Sequence, residues 1–199
     1  MLWQCGDKSF TWTDEPGTLG HRVRLMGILN TTPDSFSDGG QYLAVGHAVE
    51  QGLRMIEAGA HIIDVGGEST RPYSEPVALD EELHRVLPVI KALRKQTSVC
   101  ISIDTTKAEV ARRALDEGAD VINDVSGLEA DPEMVSVAVK TRAGLVAMHR
   151  RGPSKSMQTG DLSAADIVGD VKKYLAQRVQ VLVDAGVARD AICLDPGIG

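Results

Sequence analysis

Several things are scarce in this sequence, and each shortage excludes a class of protein. Aromatic residues are only 4% of the 199, so a core must be built from Val, Ile, Leu, Ala and Met. No apolar run approaches the ~20 residues that a membrane-spanning helix needs. Met1 to Trp12 lacks a basic region followed by an apolar stretch, so it does not read as a secretory leader. Basic residues are outnumbered, 21 Lys and Arg against 28 Asp and Glu, for a net charge of −7. That balance argues against nucleic acid as a partner, because phosphate binding wants a basic footprint. A few local cations or a metal ion can still create an anion site inside one cleft. Three cysteines, Cys5, Cys100 and Cys193, form an odd set without metal-ligand spacing. Two lie inside apolar strand-like runs, which predicts reduced, buried thiols in a cytoplasmic protein. Gly-x-Gly-x-x-Gly after the first strand, a Walker loop, a nucleophile elbow and a zinc-binding cysteine pair are all missing. His21, His47, His61 and His84 show no ligand spacing and read as structural or solvent-facing.

What is present is a regular alternation. The composition, 43% hydrophobic and 25% charged, is that of one globular domain over 1–199, with residues 1–20 as an N-terminal hairpin and linker. The main fold reads as strand Val23–Leu29, helix Ala44–Ala58, strand Ile62–Val65 and helix Leu79–Lys95. It continues with strand Val99–Ile103, helix Lys107–Glu117, strand Val121–Asn123, helix Pro132–Lys140, strand Gly144–Met148, helix Ala164–Ala185 and strand Ile192–Leu194. Six strands separated by helices imply a parallel sheet covered by helices. Glu57 to Gly67 resembles Glu117 to Gly127, each a Gly-Ala helix end followed by an apolar strand and an acid, with Gly as helix cap.

An open sheet and a closed (β/α)8 barrel both fit that pattern. Polar residues decide between them. Asn30, Asp64, Asp104, Asn123 with Asp124, His149 and Asp195 end six different strands, and a barrel would gather them at one mouth. The fold class predicted is therefore a (β/α)8 TIM barrel, of which about six of the eight strand–helix units are present. Asp104, Asn123 and Asp195 offer acceptors suited to a flat heterocycle with an amino-amide edge, since one carboxylate can accept two parallel N–H bonds. Asp104 and Asn123 also suit helix caps or turns. Arg71, held extended by Pro72, suits a diphosphate or carboxylate, or a surface pairing with Glu68 or Glu75. Asn30 offers an amide oxygen to Mg2+, Asp64 is read as ordering its own loop, and His149 to Lys155 is a basic cluster in a solvated loop. A long irregular stretch, Asn30 to Gly40, combines Pro33, two carboxylates, hydroxyls and Phe36 at a strand exit, where function tends to sit.

These motifs resemble dihydropteroate synthases. Leu29-Asn30-Thr31-Thr32-Pro33-Asp34-Ser35-Phe36-Ser37-Asp38-Gly39-Gly40 resembles that family's first signature, and Gly59 to Pro72 its second. Ile103-Asp104-Thr105, Ile122-Asn123-Asp124, Met148-His149 and Asp195-Pro196-Gly197-Ile198-Gly199 follow in the family's order. The resemblance implies a transferase of folate biosynthesis and sulfonamide target. It would join 6-hydroxymethyl-7,8-dihydropterin diphosphate to p-aminobenzoate, giving 7,8-dihydropteroate and pyrophosphate. It places Asp104, Asn123 and Asp195 on the pterin ring with Met148 beside it, and Asn30 on Mg2+. Thr70 and Arg71 would contact substrates, and Phe36 and Asp38 would shape the p-aminobenzoate pocket. Asp38 and Arg71 are the expected catalytic residues, stabilising the methylene cation and the departing pyrophosphate. The family's next elements carry a lysine and an arginine–histidine pair and form a homodimer; they are not in this sequence, so this chain alone is expected to be inactive. Tyr73 and Arg150 depart from common family residues. The alternatives are a non-catalytic pterin-binding paralogue and a corrinoid-type pterin methyltransferase barrel.

Overall fold

The computed structural model describes residues 1–12, 23–31, 41–68, 76–150 and 166–198, with only the backbone of 41–43. It opens with an antiparallel hairpin of β1 (Leu2–Cys5) and β2 (Lys8–Thr11), turning at Gly6. The main sheet contains β3 (Met26–Asn30), β4 (Ile62–Gly66), β5 (Cys100–Asp104), β6 (Val121–Asp124), β7 (Gly144–Met148) and β8 (Ile192–Asp195). Its strands lie side by side in chain order, and every neighbouring pair is parallel. Between them run α1 (Gln41–Glu57), α2 (Leu79–Arg94), α3 (Ala108–Asp116), α4 (Met134–Thr141) and α5 (Ile167–Asp184). Among the described residues these are five strand–helix units and a sixth strand of a TIM barrel, which has eight units.

Alternation along the strands divides the apolar residues between two sides. Outward-facing Leu29, Ile63, Val65, Ile101 and Ile103 pack against the helices, which answer with Leu83, Val86, Ile90 and Leu93 on α2. Those four recur at helical spacing, the stripe expected of a helix with one covered face. Asp80, Glu81 and Glu82 in the first turn of α2, and Lys91 and Arg94 in its last, suit the helix dipole. Ile122, Leu145, Ala147, Met134 and Leu182 form a second outer core under α3, α4 and α5.

The inner side is closed at the strands' N-terminal end by the hairpin. Trp3, Cys5, Ile62, Cys100, Val121 and Val146 are buried together there, with Cys193 packed against them. The Trp3 indole donates to Ala191 O at 3.0 Å. Lys8 pairs with Asp120, which also accepts from Arg94 (2.6 Å) and the Ile101 N–H (2.8 Å). Gly144 is what lets the hairpin come so close, because a Cβ there would lie 2.8 Å from Cys5 Sγ. All three cysteines are free; of the two in main-sheet strands, Cys100 is buried as expected but Cys193 is only partly so, while Cys5 of the hairpin is buried instead.

The first main strand starts later than its apolar pattern suggests. Val23 and Leu25 are exposed and precede β3. Leu25 instead caps the approach to β4, its N–H donating to His61 Nδ1 and its carbonyl accepting from His61 N.

Candidate active site

Register between strands determines which inward side chains lie level. One row at the C-terminal end runs Asn30, Gly66, Asp104, Asn123, Val146, Cys193. Two residues further out, Met148 lies level with Asp195. Two residues deeper lie Ile28, Asp64, Ser102 and Val121. Asn30, Asp104, Asn123, Met148 and Asp195, chosen from sequence, thus share the inner side at one mouth. Gly66 leaves a gap in the row: a Cβ there would stand 3.5 Å from Asp104 Oδ2 and 3.9 Å from Asn30 Oδ1. Phe36, Asp38, Thr70, Arg71 and Tyr73 lie outside the described residues, as do residues 151–155 of the basic cluster.

Asp64 and Asp124 depart from what their strand positions suggest. Asp64 does not order its own loop. It is 3% exposed and sits inside the barrel, where its Oδ2 accepts from Asn123 Nδ2 at 2.9 Å across the intervening β5. Its other oxygen and the hydroxyl of Ser102 are buried without hydrogen-bonding partners. Asp124 is not at the mouth either. It follows Asn123 by one residue, so alternation turns it outward, and its Oδ1 accepts the Ser126 N–H at 2.7 Å. Both follow from counting in twos from Gly66 and Asn123, a signal the strand-end pattern had obscured.

The mouth is strongly acidic. Burial, with the charges of Asp64, Asp124, Glu82 and Glu68, pushes the Asp104 carboxyl well above the usual range. Burial also raises Asp64, against the lowering influence of the hydrogen bond from Asn123. A donor-rich ligand would relieve this by hydrogen-bonding the ionised forms. Asp195 differs: its Oδ1 accepts the Gly197 N–H at 2.7 Å in a tight turn, leaving Oδ2 for the mouth. Gly197 has φ +68°, and a Cβ there would collide with the His149 carbonyl. The His149 N–H in turn donates to Asp195 O at 2.8 Å, and its ring meets Tyr174 edge-on at 5.1 Å.

A brace absent from the sequence reading supports the mouth. Lys107 Nζ contacts Glu68 Oε2 and Glu82 Oε2, each at 2.5 Å. Glu82 is fully buried and also accepts from Thr105 Oγ1 at 2.6 Å. Burial opposes the Lys107 charge, but its bonds to Glu68 and Glu82 outweigh that and raise its pKa. The Val77 N–H reaches the same Glu68 Oε2 at 3.4 Å, so Glu68 binds both flanks of the segment 69–75. On the other side, Thr31 is anchored by N–H and hydroxyl to Gly66 O.

Among the described residues no group of three or more His, Cys, Asp and Glu side chains is placed to hold a metal ion. No described helix is long and apolar enough to cross a membrane. Residues 26–199 match the family described as pterin binding enzyme. The chain belongs to the pterin-binding enzyme family. A dihydropteroate synthase of Synechocystis sp. is 46% identical over 194 residues, 98% of this chain and 64% of that protein. The Burkholderia cenocepacia dihydropteroate synthase complexed with 7,8-dihydropteroate superposes with a TM-score of 0.83 at 44% identity, covering 100% of this chain and 64% of that one. The Xanthomonas albilineans enzyme with 4-aminobenzoic acid gives 0.84 at 40% identity, covering 100% and 67%. The chain therefore spans about two thirds of the length of these pterin-binding relatives.

Proposed function

We propose that this chain is the pterin-recognising portion of a dihydropteroate synthase, which condenses 6-hydroxymethyl-7,8-dihydropterin diphosphate with p-aminobenzoate. The observation that carries the reading is the convergence of Asp104, Asn123 and Asp195 from three parallel strands on one acidic mouth. Such a set accepts the N–H groups of a pterin's amino-amide edge while Met148 packs beside the ring. No protein nucleophile is required: pyrophosphate leaves, the methylene cation is conjugated with the pterin, and the arylamine attacks it. In this reading Arg71 stabilises the departing pyrophosphate and Asp38 the cation, with Thr70 and Phe36 contacting substrate.

Mg2+ fits the same picture as a sparsely held ion. Asn30 is exposed at the mouth and offers one amide oxygen, and Mg2+ keeps several waters and takes further oxygens from substrate phosphate. Bound there, it would offset the charge of the leaving diphosphate.

Pyrophosphate release by the full-length protein, with both substrates present, tests the reading. Release that depends on p-aminobenzoate supports it. Tight pterin binding without release would instead indicate the non-catalytic paralogue, and methyl transfer from a methylated pterin the corrinoid-type enzyme.

A further inference from the structure

We propose that Asp64 is a positioning residue for ring recognition, because it fixes which end of the Asn123 side-chain amide faces the mouth. The inference rests on the reading of the mouth as a pterin site. A primary amide is two-sided: its oxygen only accepts, and its NH2 only donates. Which side a ligand meets depends on what holds the other end. Here Asp64, one row deeper, accepts from Asn123 Nδ2 at 2.9 Å. With its NH2 committed to Asp64, Asn123 leaves Oδ1 to receive an N–H from the ring.

The environment makes this hold specific. Asp64 is 3% exposed, and β5 lies between its strand and that of Asn123, so the bond spans the barrel interior. Among the inward neighbours, Asp104 lies level with Asn123 on β5, Val146 lies level with it on β7, and Ser102 and Val121 lie a row deeper; the amide donates to Asp64 rather than to Asp104 or Ser102. Val121 and Val146 are apolar and offer the amide no alternative partner. Asp64 is thereby placed to act on the ligand through Asn123.

Asp64→Asn separates this role from a structural one. It keeps the shape but lets the two amides pair in either sense. In one of them Asn123 turns its NH2 toward the mouth, donor against donor. Calorimetric titration of the full-length protein would use 6-hydroxymethylpterin and the corresponding lumazine, whose exocyclic amine is replaced by a carbonyl. The parent should prefer the pterin. Asp64→Asn should bind it about tenfold more weakly, with the pterin-to-lumazine preference reduced to a similar degree and no loss of melting temperature. Combining Asp64→Asn with Asn123→Asp exchanges the pair: the residue-64 amide now donates up to the residue-123 carboxylate, whose other oxygen again presents an acceptor to the mouth. Pterin affinity should return to within threefold of the parent. A preference ratio unchanged by Asp64→Asn, or an exchange that fails to restore affinity, would overturn the positioning role. A parent that binds no pterin would overturn the pterin reading and this inference with it. A parent that binds pterin and lumazine equally would overturn this inference alone.

Discussion

Asp195 commits one carboxylate oxygen to its own chain, accepting the Gly197 N–H, and presents the other to the mouth. An asparagine there would keep its oxygen on Gly197 and turn its NH2 outward, setting two donors face to face with a pterin. Asp195→Asn should therefore weaken pterin binding by roughly a hundredfold, about 3 kcal/mol, with little change in melting temperature. Titration with a pterin analogue checks this, and binding within threefold of the parent would make the acid structural. Asp104 predicts the opposite balance. Its carboxyl is raised by burial first and then by Asp64, Asp124, Glu82 and Glu68, with Lys107 the cation paired to the last two. The folded state thus holds a proton that the unfolded state releases at lower pH. The stability this contributes is complete below the unfolded carboxyl value, ~3.9, and is lost as pH rises through the raised folded value. Asp104→Asn should raise the melting temperature of the ligand-free protein, by more at pH 8 than at pH 4, while weakening pterin binding. An offset independent of pH would contradict it.

At the scale of elements, β4 and β5 are joined at their exits by more than their ladder. Lys107 leads into α3, Glu82 lies in the first turn of α2, and Glu68 follows β4, so one ammonium gathers three segments. Removing it strands a fully buried carboxylate. Lys107→Met should cost about 3 kcal/mol in urea unfolding, the low end for a broken buried pair because Lys107 is partly exposed. Adding Glu82→Gln should recover a good part of that; a loss left unchanged would mean the lysine stem, not its charge, matters. None of this was legible in the sequence, where Lys107 is one cation among 21 and Glu82 looks like an ordinary first-turn acid. The elements themselves were legible, because α2 repeats Leu83, Val86, Ile90 and Leu93 at helical spacing and the strands are apolar runs bounded by turns. Strand ends were enough to put Asp104, Asn123 and Asp195 on the inner side at one mouth. Asp64 was misread because strand position was judged by order along the chain rather than by inward parity.

For the whole molecule, the sheet has two edges among the described residues, β3 and β8. Near β3, Ile28 is 62% exposed although it belongs to the inner side, and Leu194 on β8 is exposed outward. The other end of the barrel is sealed. Trp3 and Cys5 cover Cys100 and Cys193 from below, held by the Trp3–Ala191 bond and the Lys8–Asp120 pair. Contact with Cys100, then burial, keeps the Cys5 thiol protonated far above its ordinary range, and a protonated, covered thiol is a poor nucleophile. Alkylation of Cys5 and Cys100 by iodoacetamide must therefore wait for the hairpin to lift. Lys8→Ala, which loosens that hold, should speed labelling of both cysteines together and leave pterin affinity unchanged. Mass spectrometry of timed samples would show it, and unchanged rates would mean that the thiols are reached by another route. The floor of the barrel is in this sense a clock, whose ticks are the openings of a twelve-residue flap far from the chemistry.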